Sequence, residues 1–167
     1  MIRLIMERDA EPFLNLCRKI DEETEFMLFE EGERATRIEQ QQNIIKKISQ
    51  SSNSAIFVAE IENKLVGYLM AIGSKPKRIR HSVYIVAGVT RENSGKGIGT
   101  QLFKELENWA KTIGVIRLEL TVRINNTSAI SLYKKLGYEI EGTKRAACIM
   151  DGNLVDSYYM SKILKYT

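Results

Sequence analysis

Apolar residues recur along this chain with two periods, and the periods alternate in a definite order. "IRLIM" (2–6) reads as a short strand. From Asp9, an N-cap candidate, "DAEPFLNLCRKIDEE" sets Phe13, Leu16, Cys17 and Ile20 at the spacing of one helix face. The acidic stretch 21–33 separates it from a second helical pattern, "RATRIEQQQNIIKKIS" (34–49). "SAIFVAEI" (54–61) and "KLVGYLMAIG" (64–73) are β-rich and meet at "ENK", which predicts a hairpin. "SVYIVAGV" (82–89) is a further strand. The glycine-rich "RENSGKGIGTQL" (91–102) leads into a helix over 97–112, with Ile98, Leu102, Leu106, Trp109 and Ile113 in helical register and Phe103 outside that series. "IRLELTV" (116–122) is a strand, and "NTSAISLYKKLG" (126–137) a short helix ended by Gly137 at C′. Two strands, "YEIEGTKRAACIM" (138–150) and "LVDSYYMSKIL" (154–164), flank the turn "DGN". The order β-α-α-β-β-β-α-β-α-β-β predicts an α/β chain with a mixed sheet covered by helices, folded as one domain over 1–167.

Composition narrows the class of function. A chain of 167 residues, 44% hydrophobic and 28% charged, suits one globular core. Cys17 and Cys148 lie in apolar surroundings with no CxxC spacing, which predicts two reduced thiols. His81 is the single histidine, so no metal site is expected. No run approaches the ~20 apolar residues of a membrane helix. The start "MIRLIMERDAEP" is charged within three residues. A cytoplasmic chain without a membrane partner is therefore expected. The net charge of +4 is mild. The basic run "KPKRIRH" (75–81) falls between two strands and reads as a solvated hairpin loop, so no nucleic-acid partner is expected.

The glycines of 91–102 suggest a phosphate, and counting positions decides which kind. A Walker A loop needs Gly-Lys-Ser/Thr, but Gly97 follows Gly95-Lys96, and Thr90 stands where its first glycine belongs. The dinucleotide fingerprint begins at Gly95-x-Gly97, but its third glycine falls on Thr100, and the acidic residue about twenty positions on, Glu119, lies inside a strand. A backbone cradle remains, in which successive N–H groups at a helix start hold a pyrophosphate and Lys96 adds a charge at the mouth. The other reading is a glycine-rich turn without a ligand.

Thirty residues on, "NNTSAISLYKKLGY" offers Asn126 as the cap of a helix opening at Thr127, with Ala129, Leu132, Tyr133 and Leu136 on one face. Tyr133 is either a core residue or a phenol able to donate a proton. Together, "SGKGIGTQLFKELENWA", a strand, and this second motif resemble the GNAT superfamily of acetyl-CoA-dependent N-acetyltransferases over residues 54–162. The first family pattern, Gln/Arg-x-x-Gly-x-Gly/Ala, is met at Gly97 and Gly99, with Ser94 departing at its first position. The second, Asn-x-x-Ala-x-x-Leu-Tyr-x-x-x-Gly-Tyr/Phe, is met at Asn126, Ala129, Leu132, Tyr133, Gly137 and Tyr138.

The resemblance implies a mostly antiparallel mixed sheet of about seven strands, with splayed parallel central strands (82–89 and 116–122) and about four helices. Acetyl-CoA would be the co-substrate, without a metal. The resemblance places its pantetheine along Ala87, Gly88 and Val89, and its pyrophosphate on the segment Ser94, Gly95, Lys96, Gly97, Ile98, Gly99 and Thr100. Asn126 would also contact it, and Tyr133 would be the general acid. A homodimer is expected on the same ground.

The expected reaction is direct attack by a primary amine in a ternary complex. Glu119, His81, Tyr84 and the acidic stretch are candidates for the base. Thr121 occupies the position where some protein N-terminal acetyltransferases of the family carry glutamate. Acceptors in the family bind near the loop between the first two helices, which here holds seven carboxylates from Asp21 to Glu33. Phe26, Met27, Leu28, Phe29 and Glu30 of that loop, with Tyr84, are the acceptor-binding candidates. The acidic stretch is either a solvated helix end or a wall that draws in a cationic amine such as a polyamine, an amino sugar or a lysine side chain. The alternative function is a non-catalytic acyl-CoA sensor or interaction module, against which the intact Asn126 and Tyr133 argue.

Overall fold

The computed structural model describes residues 1–165. Its elements are β1 (Ile2–Leu4), α1 (Ala10–Glu23), α2 (Ile38–Ser49), β2 (Ala55–Ile61), β3 (Lys64–Gly73), β4 (Ser82–Val89), α3 (Ile98–Ile113), β5 (Arg117–Arg123), α4 (Thr127–Lys135), β6 (Glu139–Met150) and β7 (Asn153–Ile163), with 3₁₀ turns at Glu7–Asp9 and Arg91–Asn93. The strands form one seven-stranded sheet in the order β1-β2-β3-β4-β5-β7-β6. Only β4 and β5 run parallel; every other neighbouring pair is antiparallel.

The period-two pattern of the strands decides which side each residue faces. Along β2, Ala55, Phe57 and Ala59 enter a core with Leu102, Phe103 and Leu106 of α3, while Ile56 and Val58 enter a second core with Phe13, Cys17 and Ile20 of α1. Both faces of the central strands are thus covered, so β2 reads as a continuous apolar run with no alternation to polar residues. Tight turns fix two registers. Glu62 and Asn63, both at positive φ, turn β2 into β3, and Asp151 and Gly152 turn β6 into β7.

Three local expectations differ from the structure. The first strand stops at Leu4. Asp9 precedes α1 but makes no side-chain cap; its carboxylate accepts from the Arg3 guanidinium at 2.7 and 3.0 Å and from the Met6 amide at 2.8 Å. A full guanidinium charge outcompetes a helix-end amide for the same oxygens. The second helix begins at Ile38, because Arg34 is drawn away to Asp21 of α1 at 2.7 Å. The 75–81 loop is exposed, as a solvated hairpin loop should be, and both cysteines are free thiols.

Candidate active site

The two parallel strands pair only where they begin: Ser82 with Arg117, Val83 with Leu118, and Tyr84 with Glu119. Beyond that point β4 stays with β3 as far as Val89, and β5 stays with β7 as far as Arg123. The strands therefore part like a fork. A cavity of about 960 Å³ opens between the arms, lined by Ile85–Val89 on one side and Leu120–Arg123 on the other. Strand edges that face each other without pairing need other hydrogen-bonding partners, and an extended amide-bearing ligand supplies them.

At the open end lies the glycine segment. Gly95 and Gly97 have φ of +74° and +81°, a left-handed backbone that other residues enter only with strain. A Cβ at either position would meet nothing within 4 Å, so backbone geometry and not protein crowding selects glycine there. The first α3 bond runs from the Gln101 amide to the Gly97 carbonyl at 3.0 Å. The amides of the first turn have no partner inside the helix, and the helix dipole favours an anion beside them. Gly99 has a different reason: its added Cβ would sit 3.2 Å from Leu132 Cδ2, so α4 docks closely on α3. Gly88 likewise lets Ile20 of α1 approach, at 3.2 Å from where a Cβ would stand.

Ties to α1 hold this end in place. The Arg91 amide donates to Glu23 Oε2 at 2.7 Å, the Arg91 guanidinium donates to the Glu23 carbonyl, and Lys19 pairs with Glu92 at 3.0 Å. Ser94, where the resembled pattern has Gln or Arg, turns its hydroxyl onto the Thr90 carbonyl at 3.1 Å. Ser94, Gly95, Gly97, Ile98, Gly99 and Thr100 all line the cavity, whereas the Lys96 side chain is not part of its wall.

Asn126 caps α4 as its position predicts, with Oδ1 accepting from the Ala129 amide at 3.3 Å, and it lines the same cavity. Tyr133 is half-buried on the cavity wall, against Phe103 and Tyr138 with ring centroids 5.5 and 6.0 Å away. Burial, reinforced by the nearby Tyr84 phenol, pushes the Tyr133 hydroxyl up to about 12. At the root of the fork the Tyr84 and Thr121 hydroxyls are hydrogen-bonded at 2.7 Å.

The structure divides the other sequence candidates. Phe26, Met27, Leu28 and Tyr84 reach the cavity. Phe29 does not; its ring lies under the Arg34 guanidinium, 4.8 Å from the centroid. Glu30 also stays outside, and its amide donates to the Glu33 carboxylate at 2.9 Å, closing the local turn. Glu119 is placed in a second, smaller cavity of about 250 Å³ with His81 and Arg117, and it pairs with Arg117 at 2.6 Å. Tyr84 borders both cavities. Of the seven carboxylates between Asp21 and Glu33, only Glu23 lines the large cavity.

Sequence reasoning missed Arg91, Arg123, Lys144, Cys148 and Ser157, all on the cavity wall. Arg123 donates to the Glu25 carbonyl and, at 2.9 Å, to the Met27 carbonyl, so β5 holds the α1–α2 loop over the cavity. Its one sequence signal is its place in the alternating series 117, 119, 121, 123 on the less buried face of β5. Among the described residues no group of three or more His, Cys, Asp or Glu side chains is arranged to hold a metal ion, and no helix is long and apolar enough to cross a membrane.

A seven-stranded sheet whose parallel pair parts beside a glycine-rich helix start defines the acetyltransferase architecture that the motifs resemble. The chain belongs to the acetyltransferase (GNAT) family, whose family model matches residues 15–138. It is 34% identical over 111 residues to an L-amino acid N-acetyltransferase of Escherichia coli strain K12, which covers 64% of this chain and 66% of that protein. The alignments to the first three curated relatives span between 20% and 66% of those proteins' own length. A GNAT-family acetyltransferase from Streptococcus pneumoniae superposes with a TM-score of 0.95 at 26% identity, covering 99% of both chains. A phosphinothricin acetyltransferase from Sinorhizobium meliloti, solved in complex with acetyl-CoA, has the same fold, with a TM-score of 0.85 at 22% identity over 98% of this chain and 88% of that one.

Proposed function

We propose that the protein transfers the acetyl group of acetyl-CoA to a primary amine by direct attack in a ternary complex. The observation that carries this reading is the convergence, on one cavity, of the parted β4 and β5 edges, the Gly95–Gly97 segment, Asn126 and Tyr133. These residues fit the co-substrate. The open left-handed glycines and the first-turn amides of α3 suit a pyrophosphate, and the edge of β4 around Ala87, Gly88 and Val89 suits the amides of a pantetheine arm. Acetyl-CoA supplies an activated thioester.

The residues of this chain then have separate tasks. The fork orients the thioester against the incoming amine, which is worth far more than a weak interaction when the reacting atoms are held in line. Tyr133, kept protonated by its surroundings, gives its proton to the departing thiolate. Neither Cys17 nor Cys148 is needed, because the amine attacks the thioester itself. Glu119 is held by Arg117 outside the large cavity, which separates it from an amine bound there.

The test is release of free thiol from acetyl-CoA, measured with and without a broad panel of amines. Amine-dependent release with acetylation of the amine supports transfer. Acetyl-CoA binding with no release for any amine would instead favour a sensor.

A further inference from the structure

The acceptor end of the cavity carries the opposite charge to the one that the acidic sequence stretch suggests. Arg123 of β5 stands opposite Ser157 of β7 in the sheet register, and Ser157 stands opposite Lys144 of β6. Residues paired across a sheet point to the same face. Arg123, Ser157 and Lys144 therefore form one row across three strands, and all three line the cavity. A guanidinium, a hydroxyl and an ammonium side by side are donors only or donors by choice, the set that recognises a carboxylate.

The neighbouring charges leave the row unneutralised. Among the described residues Lys144 has no ion-pair partner, and Arg123 bonds to two carbonyls and to no carboxylate. Among the described residues the only acid on the cavity wall, Glu23, already accepts from the Arg91 amide at 2.7 Å. Asp21 of α1 turns to Arg34 and Glu33 of the α1–α2 loop to the Glu30 amide, and none of Glu22, Glu25, Glu30, Glu31 and Glu33 lines the cavity. A cationic polyamine would thus meet repulsion at this wall.

Position assigns the row to the acceptor and not to the phosphates of acetyl-CoA. Leu118, Leu120 and Val122 of β5 join the core under α3, so the intervening Thr121 and Arg123 face the other side, where Arg123 meets the α1–α2 loop. The glycine cradle opens α3 itself. Thr121, at the root of the fork, lies two residues before Arg123 on the same face, about 6–7 Å along the strand. That separation suits one small molecule with its amine at the fork and its acid group on the row.

Resting on the acetyl-transfer reading above, we infer that the acceptor is a primary amine that also bears a carboxylate, as free amino acids do. The test compares matched molecules: each amino acid, its primary amide and its decarboxylated amine, with free-thiol release as readout. The expected result is a kcat/KM at least tenfold higher for the acid than for either partner. Lys144→Met, a change at an exposed strand position, should shrink that preference several-fold, and Lys144→Glu should shrink it further. In both variants the acetyl-CoA dissociation constant should stay within about twofold of the wild-type value. Equal or better turnover of the decarboxylated amines overturns the inference and leaves acetyl transfer standing. A preference for the acid that Lys144→Glu leaves intact overturns the role of the row, as does a Lys144 effect confined to acetyl-CoA affinity. No turnover with any member overturns the inference and counts against acetyl transfer as well.

Discussion

The Tyr84 hydroxyl on β4 and the Thr121 hydroxyl on β5 meet at 2.7 Å, with Tyr84 on the last rung that joins the two parallel strands and Thr121 two residues beyond its partner there, Glu119. The pair stands at the root of the fork, and Tyr84 also borders the small cavity that holds His81 and Glu119. An attacking amine must lose a proton, and two linked hydroxyls between the cavities are placed to pass it on. Tyr84→Phe and Thr121→Val are each expected to lower kcat about tenfold, since water can partly replace a relay. Steady-state thiol release checks this; unchanged kcat in both variants rules the relay out.

Gly97 offers a prediction with an internal control. Gly97 and Gly114 bracket α3 with almost the same left-handed backbone, φ +81° and +76°, and neither has protein within 4 Å of an added Cβ. Alanine at either should cost stability alike, roughly 1–2 kcal/mol from the backbone alone. Only Gly97 lines the cavity. Gly97→Ala should therefore weaken acetyl-CoA binding tenfold or more, whereas Gly114→Ala should leave it unchanged. Calorimetric titration of both variants separates the two effects, and equal affinities would show that no ligand approaches the glycine cradle.

The lid over the cavity depends on a buried ion pair. Arg34 Nε lies 2.7 Å from Asp21 Oδ2, and the Asp21 side chain is 2% exposed. Removing the guanidinium leaves a carboxylate buried with no counter-charge, so Arg34→Met should cost about 3–5 kcal/mol in a urea unfolding curve. The same change frees Phe29 from its cation–π contact and loosens the α1–α2 loop. A loss below about 1 kcal/mol would mean that the pair contributes no more than a surface bridge.

How far the sequence reveals this depends on the distance over which each feature is encoded. The helix and strand periods are local, and they give every strand and helix within a few residues. The Asn126 cap and the Gly137 C′ turn are equally local and occur as read. What fails is competition between a local partner and a distant charge. Asp9 leaves the helix end for Arg3, and Arg34 leaves its helical pattern for Asp21. The row of Arg123, Ser157 and Lys144 was illegible for a related reason. It exists only through the β5–β7–β6 register, which joins residues far apart in the chain, and a bulge between Lys144 and Cys148 shifts that register locally. The acidic stretch left two readings open because carboxylate content says nothing of where each carboxylate points.

The acid–base properties predict a one-sided pH profile. Burial pushes Tyr133 up to about 12, so it stays protonated, and able to donate, throughout the neutral and mildly alkaline range. The amine, by contrast, attacks only when uncharged. With an alkyl amine whose pKa is near 10, kcat/KM should rise with unit slope toward that value, with no descending limb below about pH 10. A bell with an upper limb at pH 8–9 would contradict the assignment of the acid.

The central claim is that Tyr133 protonates the leaving thiolate within the forked cavity, and Tyr133→Phe tests it most directly. The ring keeps its packing against Phe103 and Tyr138, so the variant should fold and bind acetyl-CoA within about twofold of the wild type. Its kcat, measured by thiol release at saturating amine, should fall by roughly 10²–10³, the usual contribution of a positioned acid. A Tyr133→Phe protein with undiminished kcat would contradict the account.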